Sequence, residues 1–292
     1  MKRAPKTSDK LVGIIGHSIA HTLSPAMHTA AFEKLGLPFV FGVFDVTREF
    51  LPALVASMRG KNIAGANVTI PHKQGVISLL DNVTVDAAEV GAVNVIVNHK
   101  GTLTGYNTDI TGVAHSLEPV RARLRGASIL ILGSGGGARA AAYALSKEFS
   151  PARIRIHNRS TERAEAMTVE FRKLFPSVRF DTVVDQRSFS SAITESRLIV
   201  NTTSVGMTPN VESLPIPDGP TFSNQQIIFD IVYNPVETTL LRRARASGAH
   251  TINGVEMLVF QGAAAFELWT GKKFPVELAR SVLLNALTAK NK

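Results

Sequence analysis

The residues best equipped for chemistry fall in four short segments. One apolar run, Ser128 to Leu132, ends in Gly133, Ser134, Gly135, Gly136, Gly137 and Ala138 and leads into an alanine-rich stretch of helical pattern. A strand, a G-x-G-x-x-A turn and a helix, in that order, bind the pyrophosphate of a dinucleotide. Gly133 permits the tight turn and Gly135 lets backbone amides approach the anion. Ala138 is small enough for the helix to pack on the strand with its N-terminus facing the phosphates. The other three segments are Thr22-Leu23-Ser24-Pro25, the run NVTIPHK from Asn67 to Lys73, and GYNTD from Gly105 to Asp109. Each sets polar side chains into an apolar run or beside a turn. At the carboxyl ends of parallel strands such side chains converge on the cleft where a ligand binds.

The end of the strand after the glycine turn selects the cofactor. An NAD site places Asp or Glu there, about 20 residues past the glycines, to accept from the ribose hydroxyls. This chain has Asn158, Arg159 and Ser160, with Arg163 one turn into the next helix. A 2′-phosphate is repelled by a carboxylate and pairs with guanidinium groups, so the expected cofactor is NADP.

These segments need a frame that aligns strand ends. From Leu11 onward, short β-rich runs (LVGIIG, PFVFGVFDV, IAGANVTI) alternate with amphipathic ones (PAMHTAAFEKLG, FLPALVASMRG, and an apolar helix-like segment before Ala92). That alternation predicts βαβ units and a mostly parallel sheet. AVNVIVNHKGTLTGYNTD predicts a hairpin around Asn98, Lys100 and Gly101. A helical pattern from Ile110 runs to Pro119, with Gly126 closing the connector. A second βαβ series follows, with buried-looking strands at ASILILG, ARIRIHN, RLIVNTT and QIIFDIVY. GVEMLVFQGAAAFELWTG and FPVELARSVLLNALTAK read as two closing helices. The fold class is therefore α/β, with a full-sized core for each of two domains in 292 residues.

Composition narrows the function further. With no cysteine, thiol nucleophiles, disulfides, iron–sulfur clusters and thiolate zinc sites are excluded, so redox chemistry requires an organic cofactor. The net charge of +9 comes without a dense basic run beyond Met1 to Lys10. Arg121, Arg123, Arg125 and Arg242, Arg243, Arg245 read as solvated helix faces, and no nucleic-acid partner is expected. No apolar stretch reaches the length of a membrane span and the N-terminus lacks a signal sequence, so a cytoplasmic protein without a membrane partner is expected. His17, His21 and His28 lie close in sequence without one-turn spacing or a carboxylate among them, so no metal site is expected. His72 reads as a neighbour that shapes the site.

In ordered combination the motifs resemble those of the shikimate dehydrogenases. The family's S-L-S-P is matched by TLSP at Thr22 to Pro25 and its N-V-T-x-P-x-K at Asn67 to Lys73. G-A-V-N is matched at Gly91 to Asn94, G-x-N-T-D at Gly105 to Asp109, and N-x-T-x-x-G-M at Asn201 to Met207. G-x-x-M-L-x-x-Q is matched at Gly254 to Gln261, followed by W-x-G ending at Gly271. The resemblance implies reversible NADPH-dependent reduction of 3-dehydroshikimate to shikimate, in aromatic amino-acid biosynthesis. It implies an N-terminal α/β substrate domain, built from residues 1–110 and 254–292, and a Rossmann NADP-binding domain over residues 111–253. Helices at 111–118 and 254–270 would link them, and closure about these links would exclude water.

By the same resemblance Lys73 and Asp109 form the catalytic pair, and Thr22 and Ser24 hold the substrate carboxylate. Thr69, Asn94, Tyr233 and Gln261 contact ring hydroxyls. Gly133, Ser134, Gly135, Gly136 and Gly137 serve the pyrophosphate, and Asn158, Arg159, Ser160 and Arg163 the adenosine phosphate. Ile231 and Gly254 lie near the nicotinamide. Elementary chemistry suits these types: a ketone receiving hydride needs a proton or positive charge at its oxygen as alkoxide character develops, and an ammonium supplies both. Thr22 departs from the family's Ser by one methyl group, which bears on preference for shikimate over quinate. A quinate/shikimate dehydrogenase is thus the alternative. A folate-type NADP dehydrogenase leaves TLSP and GxNTD unexplained, and a catalytically silent NADP-binding regulator would be expected to lack Lys73 or Asp109. The expected state is a monomer or homodimer acting on a small-molecule substrate.

Overall fold

The computed structural model describes residues 9–217 and 222–290, so most of the basic stretch at the N-terminus lies outside the described residues. Two compact units make up the chain, one comprising Met1–Thr108 with Val259–Lys292 and the other Asp109–Leu258. The fold is α/β, with one six-stranded sheet in each unit. No helix among the described residues is long and apolar enough to cross a membrane.

The first unit contains strands β1 (Lys10–Gly16), β2 (Phe39–Asp45), β3 (Ile63–Val68), β4 (Asn82–Val83), β5 (Val95–His99) and β6 (Thr102–Tyr106), in the order β2-β1-β3-β5-β6-β4. Only β5 runs against its neighbours β3 and β6. Helices α1 (Ser24–Lys34), α2 (Leu51–Ser57) and α3 (Val85–Val90) connect them. The β5–β6 hairpin forms at the turn expected, with positive φ at Lys100 (55°) and Gly101 (93°), the backbone of a two-residue hairpin loop. Asn98 fastens it, accepting from the Gly101 amide and donating to the carbonyls of Met58, Gly60 and Ile63.

The helix-like segment after Lys73 is a point of correction. It breaks into a 3₁₀ turn at Ile77–Leu79, the two-residue β4 and the short α3. Tertiary hydrogen bonds override the helical pattern there: the Asp81 amide donates to Leu103, and the Asp81 carboxylate accepts from the Leu103 amide and from Arg59.

Apolar residues of β1, β3, β5 and β6 pack under α2 and α3, around Ile15, Val55, Val68, Ile96 and Leu103. On another side of this unit His28 of α1 is fully buried in an aromatic cage. Its ring stacks 4.8 Å from Phe41 and lies within 6.3 Å of Phe32, Phe266, Trp269 and Phe274. Among the described residues neither ring nitrogen has a hydrogen-bond partner, and burial depresses its pKa from 6.5 to about 3. The unfolded chain takes up a proton below pH ~6.5 and the folded one does not, so this histidine progressively erodes stability as pH falls toward 3. His28→Leu is therefore expected to gain melting temperature relative to wild type between pH 7 and pH 5. A difference that stays constant with pH would refute this.

The second unit contains β7 (Ser128–Leu132), β8 (Arg153–His157), β9 (Arg179–Thr182), β10 (Leu198–Asn201), β11 (Ile227–Asp230) and β12 (His250–Ile252). All are parallel, in the order β12-β11-β10-β7-β8-β9. This is the doubly wound 3-2-1-4-5-6 order, whose ligand crevice opens where the order reverses, between β7 and β10. Its helices are α4 (Asp109–Leu117), α5 (Arg121–Leu124), α6 (Gly136–Glu148), α7 (Thr161–Leu174), α8 (Gln186–Glu195) and α9 (Thr239–Ala246). Then α10 (Val255–Thr270) runs from this unit into the first, and α11 (Val276–Lys290) follows. Pro119 sits in a 3₁₀ turn after α4, as its missing amide and fixed φ require. Within the two arginine triplets, Arg121 pairs with Glu118 and Glu148, Arg242 with Glu212, and Arg245 with Glu237.

Candidate active site

In the first unit, the end of β1 and the start of α1 bring two hydroxyls together. The Thr22 hydroxyl accepts from the Ser24 amide at 3.4 Å and lies 3.4 Å from the Ser24 hydroxyl. Ser24 is the first residue of α1, which has no side-chain cap, so the helix end adds positive potential to two hydroxyl donors. An anion such as a carboxylate suits this arrangement.

The end of β3 carries Asn67, and the turn beyond it carries Thr69 and Lys73. Thr69 continues the strand by donating its amide to Ile15, and its carbonyl accepts from His72. Ile70–Pro71 is a cis peptide, and the Lys73 carbonyl accepts from the Val93 amide, binding the turn to the start of β5. Beside Lys73, His72 is buried, and its Nε2 donates to the Val46 carbonyl at 2.8 Å. The carbonyl fixes the proton on Nε2, because it can only accept.

Asn94 is the centre of a buried network. Its Oδ1 accepts from the Thr108 amide at 2.7 Å, and its Nδ2 donates to the Thr108 hydroxyl at 3.0 Å and toward Gln261 Oε1 at 3.5 Å. Asn67 Nδ2 approaches the Asn94 carbonyl at 3.5 Å, whereas Asn67 Oδ1 is buried without a partner among the described residues. A buried acceptor left open in this way is available to a donor from outside the protein. Asn67 and Thr108 were not singled out in the sequence as contact residues. The signal for Asn67 was a polar side chain within the apolar run IAGANV, and for Thr108 its place between Asn107 and Asp109.

Asp109 and Tyr233 belong to the other unit. Asp109 is buried as the first residue of α4, and Tyr233 is half-buried in the turn after β11. Ile231 opens that turn, its amide donating to the Asn201 carbonyl. Gly254 donates to Val232 and approaches so closely that a Cβ there would stand 2.1 Å from the Ile231 carbonyl oxygen.

The glycine turn follows β7. Gly133 takes φ +113°, and a Cβ there would lie 2.5 Å from the Thr202 hydroxyl oxygen. A Cβ on Gly137 would crowd the Ile231 side chain at 3.1 Å, while one on Gly135 would meet nothing within 4 Å. Gly135 therefore faces open space, with Ser134 half-buried beside it, and it caps α6 with no side-chain partner for the first-turn amides of Gly136 and its successors. At the end of β8 the Asn158 amide group donates to the Ser160 carbonyl, and Ser160 caps α7 by accepting from the Arg163 amide. Arg159 and Arg163 are exposed, and among the described residues neither guanidinium is ion-paired. Uncapped amides, an open glycine surface and two unneutralised cations fit a dinucleotide bearing a 2′-phosphate. Among the described residues no group of three or more His, Asp or Glu side chains is placed to hold a metal ion.

Comparison with known proteins gives concordant results. Residues 14–96 match the family model "Shikimate dehydrogenase substrate binding domain", and residues 254–284 match "Shikimate 5'-dehydrogenase C-terminal domain". The shikimate dehydrogenase (NADP(+)) of Symbiobacterium thermophilum is 44% identical over 95% of both chains. The shikimate 5-dehydrogenase of Thermus thermophilus, solved in complex with NADP(H) and shikimate, has a TM-score of 0.83 at 34% identity, covering 95% of this chain and all of that one. Quinate dehydrogenase from Corynebacterium glutamicum, in complex with NAD, has a TM-score of 0.85 at 31% identity, covering 95% of this chain and 99% of that one.

Proposed function

The chain belongs to the shikimate dehydrogenase family, and from that premise we propose that it reduces 3-dehydroshikimate reversibly to shikimate with NADPH. The observation that supports this best is the buried network around Asn94. Residues from four separate segments, Asn67, Asn94, Thr108 and Gln261, present amide and hydroxyl groups together in one unit. Such a set suits a small polyhydroxylated ring better than an apolar ligand.

In this reading NADPH, when bound, supplies the hydride. Lys73 donates the proton to the oxygen of the reacting carbonyl, or takes it back in the oxidation, and its charge stabilises developing alkoxide character. Asp109, the second member of the catalytic pair, accepts from the neighbouring ring hydroxyl. Thr22 and Ser24 hold the carboxylate at the start of α1, and Thr69, Asn94, Tyr233 and Gln261 bind ring hydroxyls. Gly133 to Gly137 and the α6 amides receive the pyrophosphate, and Asn158, Arg159, Ser160 and Arg163 the adenosine phosphate. Ile231 and Gly254 face the nicotinamide. The reaction is assigned to the cytoplasm and to a monomer or homodimer.

A quinate dehydrogenase among the structural neighbours, together with Thr22 in place of serine, supports broader substrate use as the second reading. The test is a spectrophotometric assay of shikimate and quinate, each with NADP⁺ and NAD⁺. Shikimate with NADP⁺ is expected to give the highest kcat/KM. A higher value for quinate with NAD⁺ would overturn the assignment.

A further inference from the structure

The ends of β10 and β11 carry a polar pair that the reaction as described does not use. Asn201 and Asp230 are register partners at the last positions of these strands, and both are completely buried. No cation pairs with the Asp230 carboxylate among the described residues. It accepts three neutral hydrogen bonds instead: from Asn201 Nδ2 at 2.9 Å and the Val232 amide at 3.1 Å on Oδ1, and from the Thr238 hydroxyl at 2.7 Å on Oδ2.

Burial of an uncompensated carboxylate is costly, and an apolar side chain ends a parallel strand without that cost. The cost shows in the acidity of Asp230, which burial pushes up to about 6. What the carboxylate achieves is a junction of three segments. Asn201 Oδ1 accepts from the amide and hydroxyl of Thr203, fixing the loop after β10. Val232 lies between Ile231 and Tyr233 in the turn after β11. Thr238 caps α9, accepting from the Leu241 amide while its hydroxyl donates to Asp230 Oδ2. Further along, the Thr208 amide donates to Asn234, so the loop and the turn are also joined at their far ends. The same loop supplies Thr202, which bonds the Leu132 carbonyl beside the glycine turn, and the same turn supplies Ile231, which packs against Gly137.

We infer that Asp230 is a positioning residue: its carboxylate holds the loop after β10 and the Ile231–Tyr233 turn in fixed register with the glycine turn. This rests on the proposed roles of Ile231 at the nicotinamide and Tyr233 at the substrate. An amide at this position has one acceptor and one donor group, so it cannot receive all three bonds. The amide oxygen still serves Asn201 and Val232, so the loss falls on the tie from the turn to Thr238 at the start of α9, while the pyrophosphate and adenosine sites keep their own supports.

The test is Asp230→Asn in the full chain, studied in three ways. Steady-state kinetics are expected to show kcat lower by about 10- to 100-fold, with the Kd of NADPH, read by fluorescence titration, within about threefold of wild type. The deuterium isotope effect on kcat with 4-deuterated NADPH is expected to rise, because hydride transfer becomes more fully limiting. In the free enzyme, amide exchange is expected to accelerate in peptides covering 202–208 and 231–238 and to stay unchanged in 133–148 and 153–160. Wild-type kcat and isotope effect would overturn the inference, as would exchange accelerating through the whole unit with NADPH affinity lost in proportion. Should Asp230→Asn not fold, Thr238→Val removes one donor, together with the α9 cap, and leaves the carboxylate; the same pattern at smaller size is expected, and wild-type behaviour would overturn the inference. An inactive wild type with 3-dehydroshikimate would count against the functional reading, while the exchange pattern of the free enzyme would still decide the role of Asp230.

Discussion

Replacing Lys73 by alanine is expected to lower kcat by about 10² to 10⁴-fold while KM for 3-dehydroshikimate changes by only a small factor. The magnitude follows from the task assigned to the ammonium. Hydride arriving at a carbonyl carbon leaves negative charge on the oxygen, and without a donor at that oxygen the alkoxide must form against its own basicity. The ground-state ketone carries little of that charge, so losing Lys73 weakens transition-state binding far more than substrate binding. The turn supporting Lys73 is tied down without its side chain, by the Val93 amide to the Lys73 carbonyl and by the His72 ring Nε2 to the Val46 carbonyl, so truncating the Lys73 side chain leaves its frame in place. Pre-steady-state measurement of NADPH oxidation would separate the chemical step from product release. An unchanged rate for that step would remove Lys73 from the mechanism, and partial recovery of the variant by added primary amines would support it.

Arg159→Ala is expected to weaken NADPH binding by about 10- to 100-fold, the value of one or two charged hydrogen bonds to phosphate, and to leave NADH binding nearly unchanged. The contrast between cofactors is the informative quantity. Loss of a solubilising surface charge or a general loosening of α7 would affect both. The capping of α7 by Ser160 does not involve the Arg159 side chain, so the helix N-terminus survives the substitution. Equal losses for the two cofactors, measured by fluorescence titration at fixed ionic strength, would sink the phosphate assignment.

Taken together, the expected losses divide the site by chemistry. Lys73 governs kcat, Arg159 governs cofactor choice, and Asp230 shifts kcat without touching NADPH affinity. These signatures are separable in one set of steady-state and binding measurements, because each substitution removes a group that acts at a different atom.

Some features were legible in the sequence because they depend on neighbouring residues. A glycine turn between an apolar run and a helix, arginines at the next strand end, and a Lys-Gly pair between two strand-like runs are each set within a few positions, where backbone sterics and periodicity act. That the second sheet is parallel followed from the same local alternation of strand and helix patterns, whereas its strand order did not. Tertiary structure alone decided the rest. The segment after Lys73 has a helical pattern, yet Asp81 draws it onto the β5–β6 hairpin, since a carboxylate paired with Arg59 and a backbone amide outweighs weak local propensity. Asn94 meets Gln261 across 167 positions, and the acceptor left over on Asn67 appears only once the sheet has buried it. Asp230 reads in sequence as an ordinary polar end to an apolar strand. Its cost, and therefore its meaning, arises when folding buries its carboxylate and leaves it, among the described residues, to Asn201, Val232 and Thr238.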